Sequence, residues 1–226
     1  MTPPLLEAQS LHKMYARTVA LNGASARVEA GEIVAVTGPS GSGKSTLMMC
    51  LSGVLVPDVG QVLLDGQRLD RLSDRERATI RRRDFGLVLQ FGQLLPELSV
   101  ADNVVLPLLL DGRSRADAGR SASTWLERMG AAELAAAWPG ELSSGQHQRV
   151  AIARALVNGP RVIFADEPTG ALDSVSGAAV MDTLVTVARE SDATLVVITH
   201  DNLVAAHADR EIVVRNGRED PHQARR

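Results

Sequence analysis

Residues 33–51 constrain the fold more than any other stretch. The apolar run Ile33-Val34-Ala35-Val36 leads into Gly38-Pro39-Ser40-Gly41-Ser42-Gly43-Lys44-Ser45-Thr46, and Leu47-Met48-Met49-Cys50-Leu51 follows. This reads as strand, glycine loop, helix, with the Gly-x4-Gly-Lys-Ser pattern of a phosphate-binding loop. Three glycines let the backbone curl until several N–H groups face one anion. The helix behind them presents its positive end to the same anion. On this reading Lys44 reaches the β- and γ-phosphates of a nucleotide and Ser45 offers its hydroxyl to Mg2+. Only Lys13 and Lys44 are lysines among 24 Lys and Arg residues. A chain that prefers Arg but keeps Lys44 needs a compact point charge on a flexible stem.

Composition allows the chain to bury a substantial core. The 226 residues are 45% hydrophobic and 23% charged, enough for one large α/β unit or one with an inserted subdomain. A net charge of −3 and an aromatic content of 3% give neither a basic footprint nor stacking platforms, so nucleic acid is not an expected partner. The single cysteine, Cys50, excludes an intramolecular disulfide, fits a reducing compartment and reads as a buried packing residue. Met1-Thr2-Pro3-Pro4 lacks a signal pattern, and the longest apolar stretch, about residues 104–110, falls far short of a membrane span. The chain is expected to be soluble, so any membrane role needs a separate partner.

Taken in order, residues 5–11 read as a strand, Val19-Ala20-Leu21 precede a turn at Asn22-Gly23, and residues 26–29 form a second short strand. Tyr15, the only tyrosine, either stacks on an adenine ring or caps a sheet edge; position alone leaves both open. A strand over residues 61–64 closes on the turn Asp65-Gly66. Ser73 and Glu76 have capping-box spacing, and the helix they start runs into Arg81-Arg82-Arg83. Those cations suit the negative helix end better than a binding patch. Residues 85–89 read as a buried strand ending at Gln90. Between about residues 91 and 158 helical signals dominate. Ser99 caps a helix to Leu110, a second runs over residues 114–129 to Gly130, and a short one over 131–138 stops at Pro139-Gly140. Strands at 161–165, 193–199 and 211–214 then alternate with helices at 174–190 and 202–208. Asn216-Gly217 is a turn and 219–226 a polar tail. The expectation is a single α/β unit over residues 1–226 with a mostly parallel core sheet and an inserted helical subdomain.

Two further stretches carry chemistry. Val162-Ile163-Phe164-Ala165 ends in Asp166-Glu167. In phosphate-loop ATPases an Asp at such a strand end holds Mg2+, often through water, and the adjacent carboxylate can polarise an attacking water. By itself the pair is a weak signal; beside a phosphate loop at the same sheet edge it is a strong one. Leu142-Ser143-Ser144-Gly145-Gln146 places capping-box residues before the helix that carries Arg149 to Leu156. That is either a well-capped helix or a second anion-binding helix end.

With these motifs in this order, residues 5–217 resemble the ATP-binding cassette ATPases. Residues 142–146, running on to Leu156, look like that family's signature motif, and Asp166-Glu167-Pro168-Thr169-Gly170-Ala171-Leu172-Asp173 like its Walker B motif and D-loop. Gln90 stands at the Q-loop position, Tyr15 at the adenine-stacking aromatic and His200 at the switch histidine. Two positions depart from the pattern. Ser144 replaces the usual glycine, which would cost about 1 kcal/mol if that position needs positive φ. His147 stands where Gln or Glu is commoner, outside the expected phosphate shell. The resemblance implies a P-loop NTPase core, an N-terminal antiparallel β subdomain and a helical signature subdomain. It also implies a head-to-tail homodimer, or paired cassette, that holds ATP and Mg2+ between subunits. Ser45, Gln90 and Asp166 would hold the metal. Glu167, His200 and Lys44 would be catalytic. Ser143, Ser144, Gly145 and Gln146 would act on the partner's nucleotide, with Asp173 in the D-loop.

Residues 94–104 and 166–173 look like the lipoprotein-release, macrolide-efflux, antimicrobial-peptide-resistance and cell-division group. The implied function is the ATPase subunit of an exporter, at the cytoplasmic face of the inner or plasma membrane through a permease on a separate chain. The alternative is an FtsE-like ATPase that signals through a membrane protein to cell-wall enzymes. DNA-repair or translation relatives would need a coiled-coil insertion or tandem cassettes, and a small-molecule kinase would leave the signature helix without purpose.

Overall fold

A long hairpin opens the chain. β1 (Leu6–Tyr15) and β2 (Thr18–Val28) pair antiparallel, and they turn at Ala16-Arg17, where Ala16 has φ 50°. The computed structural model describes residues 3–89, 93–170 and 172–220. The turn expected at Asn22-Gly23 is instead a bulge inside β2. Leu11 pairs with Ala24 and His12 with Asn22, leaving Gly23 (φ 86°) as the extra residue. The Asn-Gly pair suits either structure, and the outward-facing polar residues of β1 hid its length. The strand expected over residues 26–29 is the end of β2.

β3 (Ile33–Thr37) leads through the glycine loop into α1 (Lys44–Leu51). β4 (Val59–Leu64) then pairs with β1 and forms a hairpin with β5 (Gln67–Arg68), where Asp65 and Gly66 have φ 49° and 78°. These four strands form an antiparallel sheet in the order β2-β1-β4-β5. α2 (Asp74–Asp84) starts on the Ser73–Glu76 capping box. Its terminal arginines have partners: Arg81 donates to the Gly53 carbonyl, and Arg82 and Arg83 face Asp111. β6 (Phe85–Val88) follows.

α3 (Val100–Leu110), α4 (Arg115–Arg128) and α5 (Ser144–Leu156) make the helical segment, capped by Ser99, Ser114 and Ser143. Fully buried Asn103 is satisfied by the backbone of Leu95, Leu98 and Ser99. The helix expected over residues 131–138 is a single 3-10 turn at Ala132–Leu134. The carbonyls of Ala135 and Ala137, which a helix would use, accept the N–H groups of Ala101 and Val100 at the open end of α3. Pro139, expected as a stop, is the first residue of another 3-10 turn, where its missing N–H costs nothing.

β7 (Val162–Asp166), α6 (Ser174–Glu190), β8 (Thr194–Ile198), α7 (Asn202–Ala205), β9 (Arg210–Arg215) and β10 (Arg218–Glu219) complete the fold. The second sheet runs β10-β9-β3-β8-β7-β6, with all neighbours parallel except β10. Glu219 belongs to β10, so the expected polar tail starts at least one residue later; residues 221–226 lie outside the described residues. Strand alternation splits the core into two layers. Val34, Val36, Val162, Phe164, Val196 and Ile198 pack with α1 and the antiparallel sheet. Ile33, Ile163, Ala165, Leu195 and Val197 pack with α3 to α6. Cys50 is buried in the first layer, and burial pushes its thiol up to about 12.

Candidate nucleotide-binding site

Close packing from below shapes the glycine loop. A Cβ on Gly38 (φ 137°) would lie 2.1 Å from the Val214 carbonyl, and one on Gly43 (φ 105°) 2.4 Å from the Ala20 carbonyl. β9 and β2 therefore press the loop against the end of β3 so closely that only glycine fits at these positions. Gly217 N–H donates to the Ser42 carbonyl, and its own carbonyl accepts from Asn22, which ties the loop to the hairpin. Pro39, Ser40 and Gly41 form the exposed crest, and Ser42 is buried beneath it. Lys44 is only 8% exposed; its ammonium donates to the Gly38 and Pro39 carbonyls at 2.8 and 3.1 Å. Thr46 sits within the first turn of α1.

Ser45 Oγ donates to Asp166 Oδ1 at 3.3 Å. Asp166 ends β7, two strands from β3 in the sheet, so the parallel register brings loop and carboxylate to one edge. Burial pushes the Asp166 carboxyl above the usual carboxylate range, and Glu167 adds to that; the Ser45 hydroxyl and the Lys44 charge pull the other way. Glu167 leaves the strand with φ 46°, a left-handed conformation that costs a side-chain-bearing residue about 1 kcal/mol or more. Its N–H donates to the Ile198 carbonyl, and the turn aims its carboxylate at the end of β8. There Oε1 lies 2.7 Å from His200 Nδ1, and Oε2 accepts from Thr199 Oγ1 at 3.4 Å. Thr199 is fully buried, joins the cluster and was missed by sequence reasoning. The only available signal was a hydroxyl next to His200 at a strand end.

Ser143 forms a true capping box. Its hydroxyl accepts from Gln146 N–H at 3.3 Å, and Gln146 Oε1 accepts from Ser143 N–H at 2.9 Å. Ser144 is the first helical residue and has no positive φ, so the glycine-to-serine departure carries no backbone strain. His147 is half-buried on α5, and burial, with Arg154 nearby, holds its imidazole below the usual range. Gly145 lies against Leu172, and Asp173 caps α6 by accepting from Val175 and Ser176. Hydrogen bonds from Ser176 hold the Asp173 carboxyl low. Residues 143–146 and Asp173 line a cleft of about 610 Å³ with the end of α4 and with Ser176, Ala179, Val180 and Thr183 of α6. Among the described residues none of 38–46 lines it. The structure thus brings Lys44, Ser45, Asp166, Glu167 and His200 to one sheet edge, while the α5 start opens elsewhere. Tyr15, 45% exposed, closes β1 opposite Thr18, at the tip of the hairpin that passes Gly43. Gln90 lies outside the described residues.

A family model described as ABC transporter matches residues 21–170. Over 224 residues the chain is 44% identical to the lipoprotein-releasing system ATP-binding protein LolD of Bordetella pertussis, covering 97% of each. Against the LolD of Hyphomonas neptunium identity is 42% over 222 residues, 96% of this chain and 97% of the relative. The fold superposes on the dimeric, post-hydrolysis ATP-binding cassette MJ0796 bound to ADP and Pi, with TM-score 0.91 and 35% identity over 98% of each chain. A phosphate loop, a paired carboxylate edge and a second capped helix end, on this fold and with these relatives, make the chain a member of the ABC transporter family, the ATP-hydrolysing subunit of a membrane transporter.

Proposed function

We propose that the chain powers the release of lipoproteins from a membrane as one of two cassettes that share their ATP sites head to tail. One observation carries this reading: residues 143–146, the second anion-binding element of the chain, line a cleft to which none of residues 38–46 contributes. Each chain then supplies half of two reaction centres, and a C2 pair closes both. The dimeric state of MJ0796 supports the pairing, and the names of the relatives support lipoprotein release over signalling to cell-wall enzymes. The membrane subunit would hold the cassette at the cytoplasmic face.

In this pair Tyr15 stacks on the adenine and the amides of residues 39–46 wrap the phosphates. Lys44 exchanges the Gly38 and Pro39 carbonyls for β- and γ-phosphate oxygens. Ser143, Ser144, Gly145 and Gln146 of the second copy grip the γ-phosphate from the far side, and Asp173 borders the seam. The Ser45 hydroxyl and the Asp166 carboxylate are hard oxygen donors 3.3 Å apart, which fits Mg2+, an ion usually held by one or two protein oxygens besides phosphate. Gln90 would join them. Bound there, Mg2+ would neutralise charge on the β- and γ-phosphates. Glu167 takes a proton from the attacking water, and His200 orients Glu167 and contacts the γ-phosphate.

Complementation tests the shared site. Lys44→Ala and Ser143→Arg should each abolish hydrolysis. Mixed, they form a heterodimer with one intact pair, Lys44 from one chain and Ser143 from the other, and activity should return. No recovery on mixing, with heterodimers demonstrated, would overturn the shared-site reading. Lipoprotein specificity is checked separately by ATP-dependent release from vesicles that hold the cognate permease.

A further inference from the structure

Both lysines of this arginine-rich chain are spent on capping backbone carbonyls, and they do so at two ends of the proposed nucleotide site. Lys44 holds the Gly38 and Pro39 carbonyls. Lys13, with its side chain 17% exposed, donates to the Val56 carbonyl at 2.9 Å and to Asp58 Oδ1 at 2.8 Å. Asp58 Oδ2 accepts from Met14 N–H at 2.8 Å, and Asp58 N–H donates to the His12 carbonyl at 2.8 Å. The pairing of β1 with β4 ends at His12 and Val59. Beyond it, among the described residues, that edge of β1 has no strand partner, and the Asp58 carboxylate takes the place of one. Hydrogen bonding between the pair holds the Lys13 ammonium above its usual range and the Asp58 carboxyl below its own.

The segment that carries Val56 and Asp58 leaves the end of α1, where Leu55 N–H donates to the Met49 carbonyl. α1 begins at Lys44. Tyr15 is the residue after Met14, and its last strand pair is with Thr18 on the opposite edge. Lys13 and Asp58 therefore join the strand end that carries Tyr15 to the helix that starts at the phosphate loop. A tetrahedral ammonium meets a carbonyl and a carboxylate from one point, whereas a planar guanidinium spreads its donors.

We propose that Lys13 and Asp58 form a positioning clamp that fixes Tyr15 relative to the phosphate loop, so that base and triphosphate bind to one rigid site. This rests on Tyr15 as the base platform. Without the clamp the hairpin tip is held on one edge only, and ordering it falls to the nucleotide.

The test titrates ATP and inorganic tripolyphosphate into wild type, Lys13→Met, Asp58→Asn, Tyr15→Ala and the Lys13→Met/Tyr15→Ala double variant by calorimetry, with circular dichroism to verify folding. Lys13→Met should weaken ATP binding about tenfold, leave tripolyphosphate unchanged, and raise KM with kcat retained. In the Tyr15→Ala background it should add nothing. Asp58→Asn, at a half-exposed carboxylate, should follow Lys13→Met and serves if that variant fails to fold. If Tyr15→Ala leaves ATP affinity unchanged, the base-platform reading falls and the clamp with it. If Tyr15→Ala weakens ATP but neither clamp variant does, the clamp is overturned and the platform stands. The clamp is overturned in the same way if tripolyphosphate binding weakens equally or if the losses add in full.

Discussion

Glu167 Oε1 and His200 Nδ1 are 2.7 Å apart, so the carboxylate that follows β7 is aimed by a residue that follows β8. The contact spans 33 residues of sequence and needs the left-handed turn at Glu167 to form. Replacing Glu167 with Gln keeps size and hydrogen bonding but removes the base. Phosphate release should slow roughly 10²- to 10⁴-fold while ATP affinity is retained. The variant should also sediment as a dimer in the presence of ATP; undiminished turnover would remove Glu167 from its role.

Gly43 and Gly41 separate two costs. A Cβ at Gly43 meets the Ala20 carbonyl at 2.4 Å, whereas one at Gly41 (φ 73°) meets nothing within 4 Å. Gly41→Ala should cost about 1 kcal/mol from the left-handed backbone alone. Gly43→Ala must also move β2 or the loop and should cost clearly more. Urea denaturation of the ligand-free variants orders the two; equal midpoints would contradict the close approach of β2.

Ser144 is a helical residue with ordinary φ at the start of α5. Restoring glycine with Ser144→Gly should therefore bring no relief of strain, and should lower stability by a few tenths to about 1 kcal/mol. ATP turnover should not rise. Thermal melts and phosphate release measured together check this; a stabilised variant would mean the serine is strained after all.

Asp166 links stability to pH. Burial raises its folded pKa above the unfolded value of about 3.9. Between those two values the native state binds the extra proton. Its contribution to stability is full below the unfolded value and is lost as pH rises through the folded one. Asp166→Asn removes the charge that is costly to bury. The ligand-free variant should melt higher than wild type at neutral pH, with the difference vanishing in acid, and it should lose hydrolysis. Melting curves across the acidic to neutral range decide it; a variant that melts lower at neutral pH would overturn the burial argument.

Much was legible in local chemistry. The Ser73, Ser99 and Ser143 caps, the helix over residues 174–190 and the phosphate loop all depend on contacts a few residues apart, and their residue types are distinctive. The misreadings fell where a distant segment competed for the backbone. The N–H groups of Val100 and Ala101 take the carbonyls that would have made a helix after Ala131. Two strands register across Asn22-Gly23 and turn a hairpin signal into a bulge.

Which residues can bind phosphate, hold a hard cation and accept a proton follows from residue types alone, because those capacities belong to side chains and to glycine's freedom at positive φ. Which of them meet is set by the packing of distant strands. Parallel register carries Ser45 to Asp166 and Glu167 to His200, while the capped start of α5 opens on a cleft that residues 38–46 do not line. A hydrogen bond needs its atoms within about 3 Å, and no local pattern sets the distance between strands that are more than a hundred residues apart in the chain.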